Sequence, residues 1–228
     1  MRKHLAFVLA VFVVATLSAI AQTSSSTNTN PGVALVGLPG PWEWQNPPVS
    51  WKIENEKTLS ITASGKTDWF ASPMGDDRRD NTPRLLFKPA ADFALSAKVT
   101  VDFHSQWDSG VLVLYVNNSL WAKLCLEMTI EKHPAIVSVV TRDLSDDNNS
   151  IPVSGSSVYL KVAKVGQAIF FYASQDGESW TIIRTFSLGA NPDLRIGFSS
   201  QSPVGDGCTS VFSQIIYQPR RIDLWSGK

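Results

Sequence analysis

Residues Phe93, Leu95, Val99, Val101 and Phe103 alternate with Ser96, Lys98, Thr100 and Asp102. A period of two is the pattern of a half-buried β-strand, because successive side chains leave a strand on opposite faces. A helix would need a period near 3.6, and no stretch sustains one between recognisable caps. Further strands are predicted at 58–63, 110–116, 121–131, 136–142, 158–165, 168–174, 180–188, 194–200 and 210–217. Turn-forming pairs separate them: Asn117-Asn118, His133-Pro134, Asp176-Gly177, Asn191-Pro192 and the run Gly205-Asp206-Gly207. Asp-Gly supplies the positive φ angles of a tight hairpin, so 174–180 is read as a structural hairpin whose turn Trp180 covers. Many short strands without helices specify an all-β sandwich or barrel.

The 228 residues include more than that domain. Arg2, Lys3 and His4 precede a nearly wholly apolar run from Leu5 to Ile20, closed by Ala19-Ile20-Ala21. This is the order of a secretory signal peptide, and the run is short for the roughly 20 residues of a membrane span. The expected organisation is a signal peptide over 1–21, a polar linker over 22–35, the β-sandwich over 36–222 and a short tail over 223–228. The protein is expected to be secreted or periplasmic, with no membrane association after cleavage; retention of the segment as an uncleaved anchor is the alternative. Cys125 and Cys208 could pair in such a compartment. Their strand parities place them on opposite sides of a sheet, however, so they are expected to stay unpaired.

Charge removes one class of partner. Lys and Arg together number 20, as do Asp and Glu, and no basic block interrupts the balance. A nucleic-acid partner is therefore not expected. Asp143, Asp146, Asp147, Asn148 and Asn149 crowd one predicted loop. Such hard oxygen ligands can hold calcium, but the spacing fits no EF-hand, so no metal and no cofactor is expected. Asn117-Asn118-Ser119 and Asn148-Asn149-Ser150 are glycosylation sequons that matter only in a glycosylating host.

The strand from Leu120 to Met128 carries most of the functional information. Leu120, Ala122, Leu124, Leu126 and Met128 form its apolar, core-facing side. The other side presents Trp121, Lys123, Cys125 and Glu127. An aromatic ring, an ammonium and a carboxylate in a row can stack on a sugar and bond its hydroxyls. The same residues could also form ordinary cross-strand pairs on a solvated sheet face. An acid on one strand face further admits a glycoside hydrolase, with Glu127 as the catalytic residue and Glu131 sharing its parity. That chemistry needs a second carboxyl about 5–9.5 Å away. Glu131 lies beside a turn, where exposed charge is common. No G-x-S-x-G elbow accompanies His104 or His133.

The segment Trp121-x-Lys123-x-Cys125-x-Glu127 resembles the W-x-K-x-G-x-E core of the DUF1349 family, the "regulation of enolase protein" type of concanavalin A-like sandwich. Thr67-Asp68-Trp69-Phe70 is similar to its T-D-F-W segment, and Trp107-Asp108-Ser109-Gly110-Val111-Leu112 to its Y-D-Q-A-G-L. Ser138-Val139-Val140-Thr141 and Ser202-Pro203-Val204-Gly205-Asp206-Gly207 continue the match, which spans 42–217. Trp107 and Cys125 depart from the family's Tyr and Gly, and Asp76-Asp77-Arg78-Arg79-Asp80 lengthens one loop. The resemblance implies a jelly roll of two curved antiparallel sheets, one of them concave, and no established reaction. It adds Asp68 and Thr141 to the candidate ligand-binding set of Trp121, Lys123 and Glu127. The leading expectation is a non-catalytic module binding a polysaccharide or glycan in a concave groove. The rivals are the Glu127 enzyme and a structural or protein-binding sandwich.

Overall fold

The computed structural model describes residues 35–228, so the expected signal peptide and all of the expected linker but Leu35 lie outside the described residues. Sixteen strands and no helix are present among them. In chain order they are β1 Glu43–Gln45, β2 Ser50–Glu54, β3 Thr58–Ser64, β4 Trp69–Ala71, β5 Arg78–Asp80, β6 Arg84–Phe87, β7 Phe93–Asp102 and β8 Ser109–Asn117. They continue with β9 Leu120–Met128, β10 Pro134–Arg142, β11 Leu144–Pro152, β12 Ser157–Val165, β13 Ala168–Ser174, β14 Thr181–Phe186, β15 Arg195–Gln201 and β16 Gly207–Gln218.

Two seven-stranded antiparallel sheets form the sandwich. The first runs β1-β6-β15-β8-β9-β10-β11 and the second β14-β13-β12-β7-β16-β3-β2. The alternation in β7 does what period two requires: Phe93, Leu95, Ala97, Val99 and Val101 all enter the core between the sheets. Leu112, Leu124, Leu126, Ile136 and Phe198 meet them from the first sheet. At Gly110 of β8 the layers approach closely. A Cβ there would lie 2.6 Å from Val99 Cγ1 and 3.0 Å from Val101 Cγ2. Gly110→Ala should therefore overpack the core and cost about 1–3 kcal/mol. A lowered denaturant midpoint with an unchanged slope would show it; an unchanged midpoint would refute it.

Three sequence expectations change. The acidic segment 143–149 is not a loop. Asp143 alone turns the chain, at φ 63°, and Leu144–Pro152 pairs with β10 as an edge strand. Asp and Asn are poor strand formers, but on an edge their charge and polarity keep the open backbone from pairing with another chain. Leu35, read as linker, is buried in the main core. Residues 223–228, read as a tail, lie against the outer face of the second sheet. There Lys161 Nζ donates to the Gly227 carbonyl at 2.7 Å and Tyr172 Oη donates to that of Leu224 at 2.5 Å. Trp180 joins this contact, its ring 3.7 Å from Lys161 Nζ. The 174–180 hairpin itself joins β13 to β14, with Gly177 at φ 79°.

Candidate functional site

The outer face of the first sheet carries the side chains that β9 turns away from the main core. Trp121, Lys123, Cys125 and Glu127 do lie there together, as the alternation requires. They pair in register with Thr141, Val139, Val137 and Ala135 of β10, and with Tyr115, Val113, Val111 and Ser109 of β8. The face is not open to solvent. The two-stranded β4–β5 hairpin lies over it, and a second apolar cluster forms beneath from Trp69, Leu86, Val111, Val113, Trp121, Cys125, Val137 and Val139.

The cover decides what each candidate residue can do. Trp121 is 1% exposed and stacks on Trp69, with ring centroids 4.0 Å apart and planes 20° off parallel. Arg84 sits 4.5 Å from the Trp69 ring, adding a cation–π contact. The expectation that Trp121 stacks on a sugar is thereby corrected: its ring is core, and no face of it is free. Thr141 is also redirected. It is fully buried, its hydroxyl lies 2.9 Å from Ser145 Oγ, and Ser145 Oγ accepts the amide of Ala71 at 3.0 Å. This chain of bonds pins the cover to the sheet, and neither hydroxyl lines the cavity beside it.

Beside the cover lies a cavity of about 350 Å³, lined by Asp68, Phe70, Asp77, Trp107, Lys123, Glu127, Val139, Asp147, Gln201 and Pro203. Its volume is at the lower end of small-molecule sites, which run about 300–1,000 Å³. Lys123 and Glu127 reach it from β9, Asp147 from β11 and Gln201 from the end of β15. Asp68 comes from the turn before β4. Asn81 fixes that turn, accepting the Asp68 amide at 2.8 Å and donating to the Lys66 carbonyl at 2.9 Å. Lys123 Nζ donates to Gln201 Oε1 at 3.2 Å and stands 4.0 Å from Asp68 Oδ1.

Trp107, Asp147, Gln201, Phe70 and Pro203 were not singled out as ligand contacts by sequence reasoning. One signal existed for Trp107, which replaces the Tyr of the resembling motif. Trp107 is 37% exposed and holds φ 64°, in the left-handed region that non-glycine residues seldom adopt. Two bonds keep it there: its amide donates to the Met128 carbonyl at 2.7 Å, and the Met128 amide donates to that of Asp108 at 3.0 Å. Asp108 is itself buried, accepting the amides of His104 and Ser105 and the hydroxyl of Ser202. A braced loop thus presents a large aromatic ring at the cavity wall.

Burial shapes the proton affinities. It pushes the Glu127 carboxyl up to about 8, with Lys123 opposing and Asp147 and Asp68 reinforcing. Partial desolvation raises Asp147, although that residue is exposed on the edge strand, and burial raises the Cys125 thiol well above the ordinary range. Burial alone would lower Lys123, but the acidic groups Cys125, Asp68, Glu127 and Asp147 outweigh it and leave the ammonium held more firmly than usual. Glu131, considered as a partner acid for Glu127, lies exposed beyond the end of β9 and does not line the cavity. The two cysteines are free. Cys125 lies under the cover, while Cys208 packs in the core between the sheets.

A family model described as "Protein of unknown function (DUF1349)" matches residues 44–220. No curated protein matches the sequence significantly. Among solved structures, a functionally unknown protein from Saccharomyces cerevisiae aligns at 19% identity and TM-score 0.72, over 78% of this chain and 96% of that one. A mutant of the GH43 protein BlXynB from Bacillus licheniformis aligns at 19% identity and TM-score 0.62, over 78% of this chain. The Bacteroides ovatus xyloglucan PUL GH43B aligns at 16% identity and TM-score 0.60, over 80% of this chain. The chain spans 37% of each of those two proteins. At such identities the likeness is one of fold.

Proposed function

The chain belongs to the DUF1349 family of proteins of unknown function, and from the pocket it builds we propose that it is an exported, non-catalytic module that binds carbohydrate. One observation carries the reading. A cavity of about 350 Å³ combines buried polar side chains with an exposed tryptophan on a braced loop. A sugar offers hydroxyls to the polar groups and an apolar face to the ring. Lys123 and Gln201 supply donors and acceptors, Glu127 and Asp68 supply carboxyls, and Trp107 replaces Trp121 as the stacking platform. The sandwich domains of the two GH43 proteins share this fold, which adds support of a general kind.

Export is proposed on the leader-like order of the first 21 residues. It places the module where polysaccharides and glycans are met.

Trp107→Ala is the direct test, by calorimetry against a panel of neutral and charged oligosaccharides. Affinity should fall about tenfold or more, near 1.4 kcal/mol. Thermal stability should hardly move, because the ring is a cavity wall and not core. Equal binding by wild type and variant would remove this site from consideration. Hydrolysis of a bound sugar that disappears in Glu127→Gln would replace the binding reading with an enzymatic one.

A further inference from the structure

Four carboxyl-bearing residues, Asp68, Asp77, Glu127 and Asp147, line the cavity, with Lys123 as the one cationic lining residue. Some of this charge is already matched. Asp77 bonds Arg79 Nε at 2.9 Å, and Lys123 engages Gln201 and Asp68. Glu127 is not matched. It is 7% exposed, and among the described residues its carboxyl forms no hydrogen bond and no ion pair. Its oxygens open onto the cavity rather than being sealed within the protein, so they are free to accept from the donors of a ligand.

Building on the carbohydrate reading, we infer that the sugar this cavity selects carries a free amine, as in a glucosamine unit, and that uronic, sulfated or phosphorylated glycans are refused. A protonated amine brings three hydrogen-bond donors and a positive charge to Glu127 and Asp147. Trp107 and Phe70 offer ring faces on which a cation is also favoured. An anionic sugar would meet the carboxylates of Asp68, Asp77 and Asp147, only partly offset by Lys123 and Arg79, which is discrimination by repulsion. A divalent cation fits less well, since calcium takes six to eight oxygens and would sit beside the Lys123 ammonium.

The inference has a proton signature. Glu127 is influenced by Lys123 of its own strand, Asp147 of β11 and Asp68 before β4; Cys125 precedes it on the same strand face, and Asp77 lines the same cavity. Burial raises its carboxyl to about 8, so it holds a proton near neutral pH. An arriving ammonium stabilises the carboxylate, so the carboxyl proton passes to the buffer while the amine keeps its own.

Calorimetry near pH 6, where the sugar amine arrives largely protonated, in two buffers of different ionisation enthalpy, tests this with three probes: glucosamine oligomers, their N-acetylated counterparts and oligogalacturonate. Glucosamine oligomers should bind about tenfold tighter than the N-acetylated set, and oligogalacturonate should not bind. The apparent enthalpy for the amine should differ between buffers by close to one released proton, and this difference should vanish in Glu127→Gln. In Glu127→Gln and Asp147→Asn, both checked for folding by circular dichroism, the preference should shrink to about twofold. If the N-acetylated oligomers or oligogalacturonate bind as well as the amine, and Trp107→Ala weakens them, carbohydrate binding stands and amine selection falls. If folded wild type binds none of the three, both are overturned.

Discussion

Trp121→Ala should lower stability by about 3–5 kcal/mol, the range for deleting a buried large aromatic. For a domain of this size that corresponds to a melting-temperature drop on the order of 10 °C. The ring is 1% exposed, and its stacking partner Trp69 belongs to a three-residue strand with little pairing of its own. Without Trp121 the β4–β5 hairpin loses its main apolar anchor and keeps mainly polar ties. Those are the Ala71 amide to Ser145 Oγ and the Arg78 guanidinium to the carbonyls of Asn118 and Asp143. Asp68, Phe70 and Asp77 sit on or beside that hairpin, so ligand affinity should fall as a consequence of the loosened cover. Trp69→Ala should behave alike, and the double variant should lose clearly less than the sum, because both truncations empty one contact. Chemical denaturation of the three variants measures this. A Trp121→Ala protein within about 1 kcal/mol of wild type would show that the stack is not what holds the cover down.

The second large effect depends on pH. In the unfolded chain Glu127 titrates near the ordinary carboxyl value of 4.5; in the fold burial raises it to about 8. The native state therefore holds a proton that the unfolded state has released across that interval. Its contribution is greatest below the unfolded value and is lost as pH rises through about 8. Between pH 5 and 8 the loss is roughly 3–5 kcal/mol. Glu127→Gln keeps the shape and removes the titration. The variant should match wild type near pH 5, exceed it in stability at pH 8, and show a flatter stability profile between. Melting curves across that range, read as the difference between the two proteins, isolate Glu127 from every other titrating group. Parallel profiles would mean that the carboxyl is stabilised in its charged form, and would also undercut the proton release expected on amine binding.

Much of the architecture was legible from alternation. The parity of β7 and β9 assigns Val99, Val101, Leu124 and Leu126 to the core between the sheets, and all four are there. The same parity places Lys123, Cys125 and Glu127 on one opposite face, and they share it. Short elements were not legible. β4 and β5 have three residues each, too few to display a period, and Asp76-Asp77-Arg78-Arg79-Asp80 reads as a charged loop. β11 carries four Asp and Asn residues that local propensity assigns to a turn, yet its pairing with β10 overrides that preference.

That this chain builds a β-sandwich, and which residues share a face, can be read from alternation, because side-chain direction in a strand follows from local geometry alone. Whether a face meets water was settled elsewhere. A hairpin some fifty residues upstream of β9 closes over Trp121 and turns it from a binding surface into core, while Lys123 and Glu127 are left lining a cavity beside it. Trp107, from the loop between β7 and β8, takes the exposed position instead. Alternation distinguishes two sides of a strand but carries no information on which distant segment will cover either one. That choice belongs to the packing of the whole molecule.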